Sequence, residues 1–264
     1  MYRSLCTQLN LFLLALSFFT RLPVTSWVEY SQQNLNKSNR YFCLVGWFIG
    51  GILAVCFVGL SQIFPTDVAV WCLLVISLLL TGVFHEDGLA DMADGFGGGF
   101  SKADKLRIMK DSRLGTYGSS ALMLALFAKL MLWQHLNELL VWLIPITYAL
   151  SRATAAQLLT LVPYVSEQQS KSKPLAENQT SREQLINLAC VLPVCLILTW
   201  QLLIALSVSI LLFLLVYRVF LIKQIGGFTG DTLGGAQQIS EILIYLVCVT
   251  FVHNQLAIFG GIIG

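Results

Sequence analysis

Asp87, Asp91 and Asp94 recur at spacings of four and three residues, so on a helix their carboxylates project from one face about one turn apart. Like charges so placed repel, and an arrangement that weakens its own helix calls for a cation. Hard divalent ions take oxygen ligands. Mg²⁺ in particular accepts one or two carboxylates and completes its shell with water and substrate phosphates. The spacing therefore predicts a Mg²⁺-dependent phosphate site with Asp87, Asp91 and Asp94 as metal and catalytic residues. His85 and Glu86 stand directly before them; both are candidate catalytic residues, and for His85 a structural role is an open alternative.

These residues open a segment, His85 to Arg113, that holds 11 of the chain's 30 charged residues in 29 positions. Gly95, Gly97, Gly98 and Gly99 are expected to break the acidic helix and free backbone amides, as phosphate-cradling loops require, although such runs also serve as plain hinges. Gly97, Gly98 and Gly99 are accordingly candidate substrate contacts. Ser101 with Asp104 three positions on forms a capping-box pattern for a short helix carrying Lys102, Lys105, Arg107 and Lys110. A basic helix of this kind rests on anionic lipid, whereas Lys110, Asp111 and Arg113, at its end, are placed to reach an anionic substrate.

The elements that must position these groups belong to a membrane protein. Of 264 residues 56% are hydrophobic and only 11% charged, with a mean hydropathy of +0.75. A net charge of +2 gives no basic patch for nucleic acid. The seven cysteines lie in apolar runs without CxxC or zinc-ligand spacing and read as small apolar fillers. Apolar runs long enough to span occur at 41–64, 67–84, 114–133, 138–162 and from about 232 to 253, and the 38-residue run 185–222 has room for two spans meeting near Trp200. A shorter run, 5–20, contains Gln8 and Asn10, and whether it spans is open; a cleaved signal peptide is not expected. The fold class expected is all-α: one membrane-embedded catalytic domain, residues 1–264, with about six or seven transmembrane helices plus short interfacial ones.

Alternate loops put residues 21–40, 85–113, 163–182 and 218–231 on one side, and these hold 13 of the 16 Lys and Arg residues. By the positive-inside bias that side is cytoplasmic, in a bacterial inner membrane. Residues 166–181 read as a flexible polar connection. Arg152 falls within a span, where a guanidinium needs a partner or a bound phosphate, with snorkelling as the bland alternative. In the segment Gly226 to Glu241, Asp231 sits in a glycine-rich turn and, with Gln237, is a candidate substrate contact or a second contributor to the metal site. Glu241, deeper in the span, reads as either functional or an interhelical hydrogen-bonding residue.

Three segments carry a family resemblance: FHEDGLADMADGFGGG from Phe84, IMKDSRLGTYG from Ile108 and GDTLGGAQQISE from Gly230, with FLLALSFFTRLPV from Phe12 as a fourth. They resemble the signature segments of the cobalamin synthase family, the adenosylcobinamide-GDP ribazoletransferases. The resemblance implies transfer of the adenosylcobinamide phosphate moiety of adenosylcobinamide-GDP to α-ribazole or its 5′-phosphate, with release of GMP and dependence on Mg²⁺. Between residues 163 and 222 the likeness is one of hydrophobicity alone. The expected partners are those two substrates and the lipid bilayer; nucleic acid is not among them, and the sequence leaves homo-oligomerisation open.

Two other readings compete. Asp87, Gly88 and Ala90 echo, with one residue fewer before the alanine, the DGxxA opening of the CDP-alcohol phosphotransferases, but Asp91 stands where that family has arginine. An ion-coupled transporter would also explain intramembrane charge, yet the acidic cluster lies at one face and the two halves show no matching broken segments.

Overall fold

The computed structural model describes residues 2–165 and 179–260, so most of the polar connection expected at 166–181 lies outside the described residues. Among the described residues twelve α-helices follow one another: α1 (Tyr2–Phe19), α2 (Gln32–Ser38), α3 (Phe42–Ser61), α4 (Thr66–Thr81), α5 (Phe84–Gly98), α6 (Lys102–Met109), α7 (Thr116–Leu136), α8 (Leu140–Leu161), α9 (Ser181–Ala189), α10 (Leu192–Ile197), α11 (Trp200–Ile225) and α12 (Gly230–His253). Among the described residues the only β-type pairings are two isolated bridges, Tyr164 with Phe228 and Leu198 with Phe259. The all-α membrane class is what the apolar composition demanded, because a backbone in lipid must satisfy its own hydrogen bonds.

Among the described residues four helical stretches are long and apolar enough to cross a bilayer, at residues 32–61, 116–161, 200–225 and 230–253, and the bent pair α4–α5 makes a fifth. The expectation was six or seven. Two features account for the difference. The 46-residue stretch 116–161 holds both α7 and α8, joined through the 3₁₀ turn Asn137–Leu139. The run 185–222 is not two spans: its first part folds as short α9 and α10, and only α11 is of spanning length. Residues 5–19 are apolar but too short to count.

The bundle is tightest where side chains vanish. Gly46 and Gly50, a GxxxG pair on α3, lie against α8, where a Cβ on Gly46 would fall 2.6 Å from Ala149 Cα and one on Gly50 2.9 Å from Pro145 N. In the core between α5, α7, α8 and α12 sit Leu132, Trp133, Ile144, Tyr148, Ile244 and Tyr245. By contrast only 22% of the most apolar stretch of α11 is buried, the exposure of a helix that faces lipid. Buried Arg40, just before α3, pairs with buried Glu183 of α9 and so ties the chain beyond the polar connection back to the bundle.

Candidate active site

The acidic helix α5 is set by an elbow. Gly82 and Val83 both have positive φ (64° and 62°), and the chain turns 86° between α4 and α5. Glycine takes this conformation freely; a β-branched valine there costs of order 1–3 kcal/mol, so the surrounding packing must hold it. The Arg21 side chain closes over Gly82, and Arg21 N–H donates to Leu80 C=O at 2.8 Å.

From this elbow α5 presents two chemically different faces. Asp87 is exposed and Asp91 half-buried on the open side, whereas His85, Glu86, Leu89 and Met92 turn inward. Helix α12 crosses α5 at a pair of glycines: a Cβ on Gly88 would lie 3.3 Å from Gly234 Cα and 3.0 Å from Asp231 C=O. That close approach makes Asp231, in the first turn of α12, an electrostatic neighbour of both Asp87 and Asp91. Lys110 reaches the same place, its Nζ 3.8 Å from Asp231 Oδ2. Asp231 Oδ2 is buried without a hydrogen-bond partner.

Asp94 is differently employed. Its Oδ2 accepts Gly115 N–H at 2.7 Å and its Oδ1 accepts Gly118 N–H at 2.8 Å, so both oxygens cap the N-terminus of α7. Any side chain at Gly115 or Gly118 would collide with that carboxylate, which is the physical reason for the two glycines in the LGTYG segment. The three aspartates on one stripe are therefore differently placed: Asp94 lies against the start of α7, while Asp231 from the far end of the chain lies beside Asp87 and Asp91. Among the described residues no three His, Cys, Asp or Glu side chains converge as a ready-made metal cage.

The glycine run is likewise not a cradle. Helix α5 continues through Gly98, and Gly99 N–H is bonded to Gly95 C=O at 3.0 Å, which leaves no loop of free amides. Glycine is needed for packing instead. Cβ atoms at Gly95 and Gly99 would run into Met109 and Lys105 of α6, and one at Gly97 would sit over the Tyr117 ring, 2.6 Å from both Cδ atoms. Helix α6 begins with the expected capping box, Ser101 Oγ accepting Asp104 N–H at 3.1 Å and Asp104 Oδ2 accepting Ser101 N–H at 3.3 Å. That bonding holds the exposed Asp104 carboxyl below its usual pKa. Beyond α6, Arg113 grips Asp111 through Nε (3.0 Å to Oδ1) and a terminal nitrogen (2.6 Å to Oδ2). This grip lowers the pKa of the Asp111 carboxyl to about 2.

Four residues assigned to the site from the sequence lie instead in the interior: Glu86, within an ion-pair network, and Arg152, Gln237 and His85 around it. Arg152 is buried; its guanidinium stacks 4.8 Å from the Tyr148 ring centroid and donates to Tyr148 C=O at 3.1 Å, and it neither snorkels nor reaches the open acidic face. Gln237 is buried on α12, donating to Glu241 Oε2 at 2.6 Å and to Ser151 Oγ at 3.1 Å. His85 is buried and stacked on Phe19 at 5.2 Å. These three border the ion-pair network, which sequence reasoning missed. Lys129 Nζ of α7 lies 3.3 Å from Glu86 Oε1 and 3.1 Å from Glu241 Oε1, with all three side chains at most 5% exposed. Gln238 adds a bond to Glu86 at 3.1 Å. The signal was present, since a lysine and a glutamate deep in separate spans must find partners. Their pairing with Glu86, inside a segment read as a charged loop on the cytoplasmic side, was invisible because the sequence does not reveal which face of α5 turns inward.

The family model described as Cobalamin-5-phosphate synthase matches residues 11–249. A Vibrio cholerae serotype O1 protein named adenosylcobinamide-GDP ribazoletransferase is 47% identical over 256 residues, covering 95% of this chain and 97% of its own length. Proteins of the same name from Vibrio parahaemolyticus serotype O3:K6 (48% over 250 residues, 94% of each chain) and Shewanella woodyi (46% over 251 residues, 92% of this chain and 97% of that one) are similar throughout. No solved structure matches.

Proposed function

This chain belongs to the cobalamin-5-phosphate synthase family, and we propose on that footing that it is an adenosylcobinamide-GDP ribazoletransferase whose reaction runs at the junction of α5, α6 and α12. The observation that carries the placement is the meeting of Asp87, Asp91 and Asp231, from two ends of the sequence, with Lys110 beside them at an open face.

A divalent cation fits this junction. The groups offered are all carboxylate oxygens, one of them, Asp231 Oδ2, is buried with no hydrogen-bond donor, and Mg²⁺ is content with one or two protein carboxylates when substrate phosphates complete its shell. Asp231, with Asp87 or Asp91 beside it, would hold it, with Asp94 fixing α5 against α7 behind them. Bound Mg²⁺ would neutralise the pyrophosphate and the charge that develops as it is split.

In the transfer, a ribose ring hydroxyl that α-ribazole and its 5′-phosphate have in common forms a bond to the cobinamide-linked phosphorus. The bond from that phosphorus to the oxygen bridging to GMP breaks, and GMP leaves with the electron pair. Lys110 supplies positive charge to the phosphates, and a carboxylate of the cluster accepts the hydroxyl proton. Such phosphoryl transfer depends mostly on positioning and charge neutralisation, which this junction offers from helices rather than loops. We place the junction on the cytoplasmic side of an inner membrane, on the strength of the Lys and Arg asymmetry of the loops.

The test is direct. Detergent-purified protein given adenosylcobinamide-GDP, α-ribazole and Mg²⁺ should release GMP and form a corrinoid of the mass of adenosylcobalamin, and chelation by EDTA should stop it. Absence of GMP release with both α-ribazole and its 5′-phosphate would overturn the reading, while full activity in EDTA would remove the metal from it.

A further inference from the structure

Beside the acidic junction, between the end of α5, the 110–115 segment and the first turn of α7, lies an open cavity of about 450 Å³ whose lining includes Asp94, Gly98, Asp111, Arg113 and Tyr117. Its chemistry differs from that of the junction. Tyr117 lies with one ring face on the backbone of α5, made possible by the missing side chain at Gly97, yet the residue is 58% exposed. A planar ring fixed from below and open above is a stacking platform for another planar group. Both oxygens of Asp94 are held by buried or part-buried amides of α7, whereas both oxygens of Asp111 are held by Arg113 alone, at the exposed rim of the cavity. Arg113 is held to Asp111 by an exposed pair, and exposed pairs rearrange at little cost.

A carboxylate and a guanidinium beside an aromatic platform match one nucleobase better than the others. Guanine presents two parallel donors, N1–H and the 2-amino group, which a single carboxylate accepts together, and two acceptors, O6 and N7, which arginine meets bidentately. Adenine carries an acceptor at N1 and would be repelled by the carboxylate. Position agrees as well: Asp94, which lines the cavity, is three residues beyond Asp91 on α5, so cavity and acidic junction are roughly one helical turn apart, within the reach of one nucleotide.

We infer that this cavity is the guanine subsite for the donor's nucleotide, with Tyr117 stacking on the base, Asp111 accepting from N1–H and the 2-amino group, and Arg113 donating to O6 and N7. The inference rests on the proposed transferase reading and adds to it the determinants of base specificity. It also takes Arg113 away from the phosphates, where sequence position alone had put it, and leaves Lys110 there.

The released nucleotide serves as probe. Binding of GMP, IMP, AMP and xanthosine monophosphate to the detergent-purified protein, measured by calorimetry, should favour GMP over IMP, which lacks the 2-amino donor, by about tenfold, and over AMP by more. Asp111→Asn should lose GMP about tenfold or more and gain xanthosine monophosphate, whose 2-oxo group accepts from the new amide. Tyr117→Ala should weaken all four nucleotides alike by roughly tenfold, and Tyr117→Phe should not. Asp111 and Tyr117 are exposed enough that both chains should fold, which unchanged thermal unfolding would verify. If wild-type protein prefers GMP and Asp111→Asn retains that preference, the guanine is held elsewhere and the inference fails while the transferase reading stands. If wild-type protein neither prefers GMP nor releases it from adenosylcobinamide-GDP, both fall together.

Discussion

Lys129→Met is the sharpest probe of how the bundle holds its acidic helix. Methionine keeps the length and apolar stem of lysine but removes the cation on which Glu86 and Glu241 converge, at 3.3 and 3.1 Å. The two carboxylates then face each other across at most about 6 Å, a repulsion of about 3 kcal/mol at an effective dielectric of 20. Stranding a buried charge by removal of its partner costs about 3–5 kcal/mol, a large share of the ~5–15 kcal/mol that holds a typical domain together. Arg152, close to both carboxylates, offsets only part of this because its bonded partner is the Tyr148 carbonyl. Thermal unfolding in detergent should therefore fall by roughly 10 °C. Adding Glu86→Gln restores charge balance, with Glu241 against Arg152, and should recover most of the loss. Because Glu86 precedes Asp87, transferase activity should drop in the single variant even at temperatures where it stays folded. A Lys129→Met protein as stable and active as wild type would refute the assignment of Lys129 as the anchor of α5, and equal instability in the double variant would show that volume, not charge, was the issue.

Asp94→Asn and Asp87→Asn should separate cap from chemistry: the first loses one of two amide bonds and about 1–3 kcal/mol of stability by thermal unfolding, while the second leaves stability unchanged and removes most GMP release. Gly118→Ala should mimic Asp94→Asn in the unfolding assay, since its methyl group would displace the same carboxylate. Gly88→Leu should push α12 off α5 and raise the Mg²⁺ concentration needed for half-maximal turnover, because Asp231 would leave Asp87 and Asp91. The Asp111 carboxyl, its pKa lowered to about 2 by Arg113, is ionised at every pH above about 4. The stabilisation from its pairing is lost only as pH falls through that value, so GMP selectivity in nucleotide binding should stay flat from pH 8 down to pH 5.

Composition and residue pattern alone dictate the solvent and the elements. Long apolar runs dictate helices in lipid, the Ser101 and Asp104 pair dictates a cap, and 11 charges in 29 residues mark the region of chemistry whatever the fold. Tertiary structure decided which carboxylate does what. Periodicity placed Asp87, Asp91 and Asp94 on one stripe, but it cannot say that a neighbouring helix begins under Asp94 and claims both its oxygens, or that α12 crosses at Gly88 and delivers Asp231 from 143 residues away. Glycine is ambiguous for the same reason. A missing Cβ permits a turn, an anion cradle or a close approach alike, and only the neighbour at Gly97, the Tyr117 ring, tells which. Burial is the last such quantity: Glu86 and Asp87 are adjacent acids of nearly equal intrinsic chemistry, and one is a buried ion-pair partner and the other an exposed carboxylate solely because α5, after its 86° elbow, turns one of them toward Lys129.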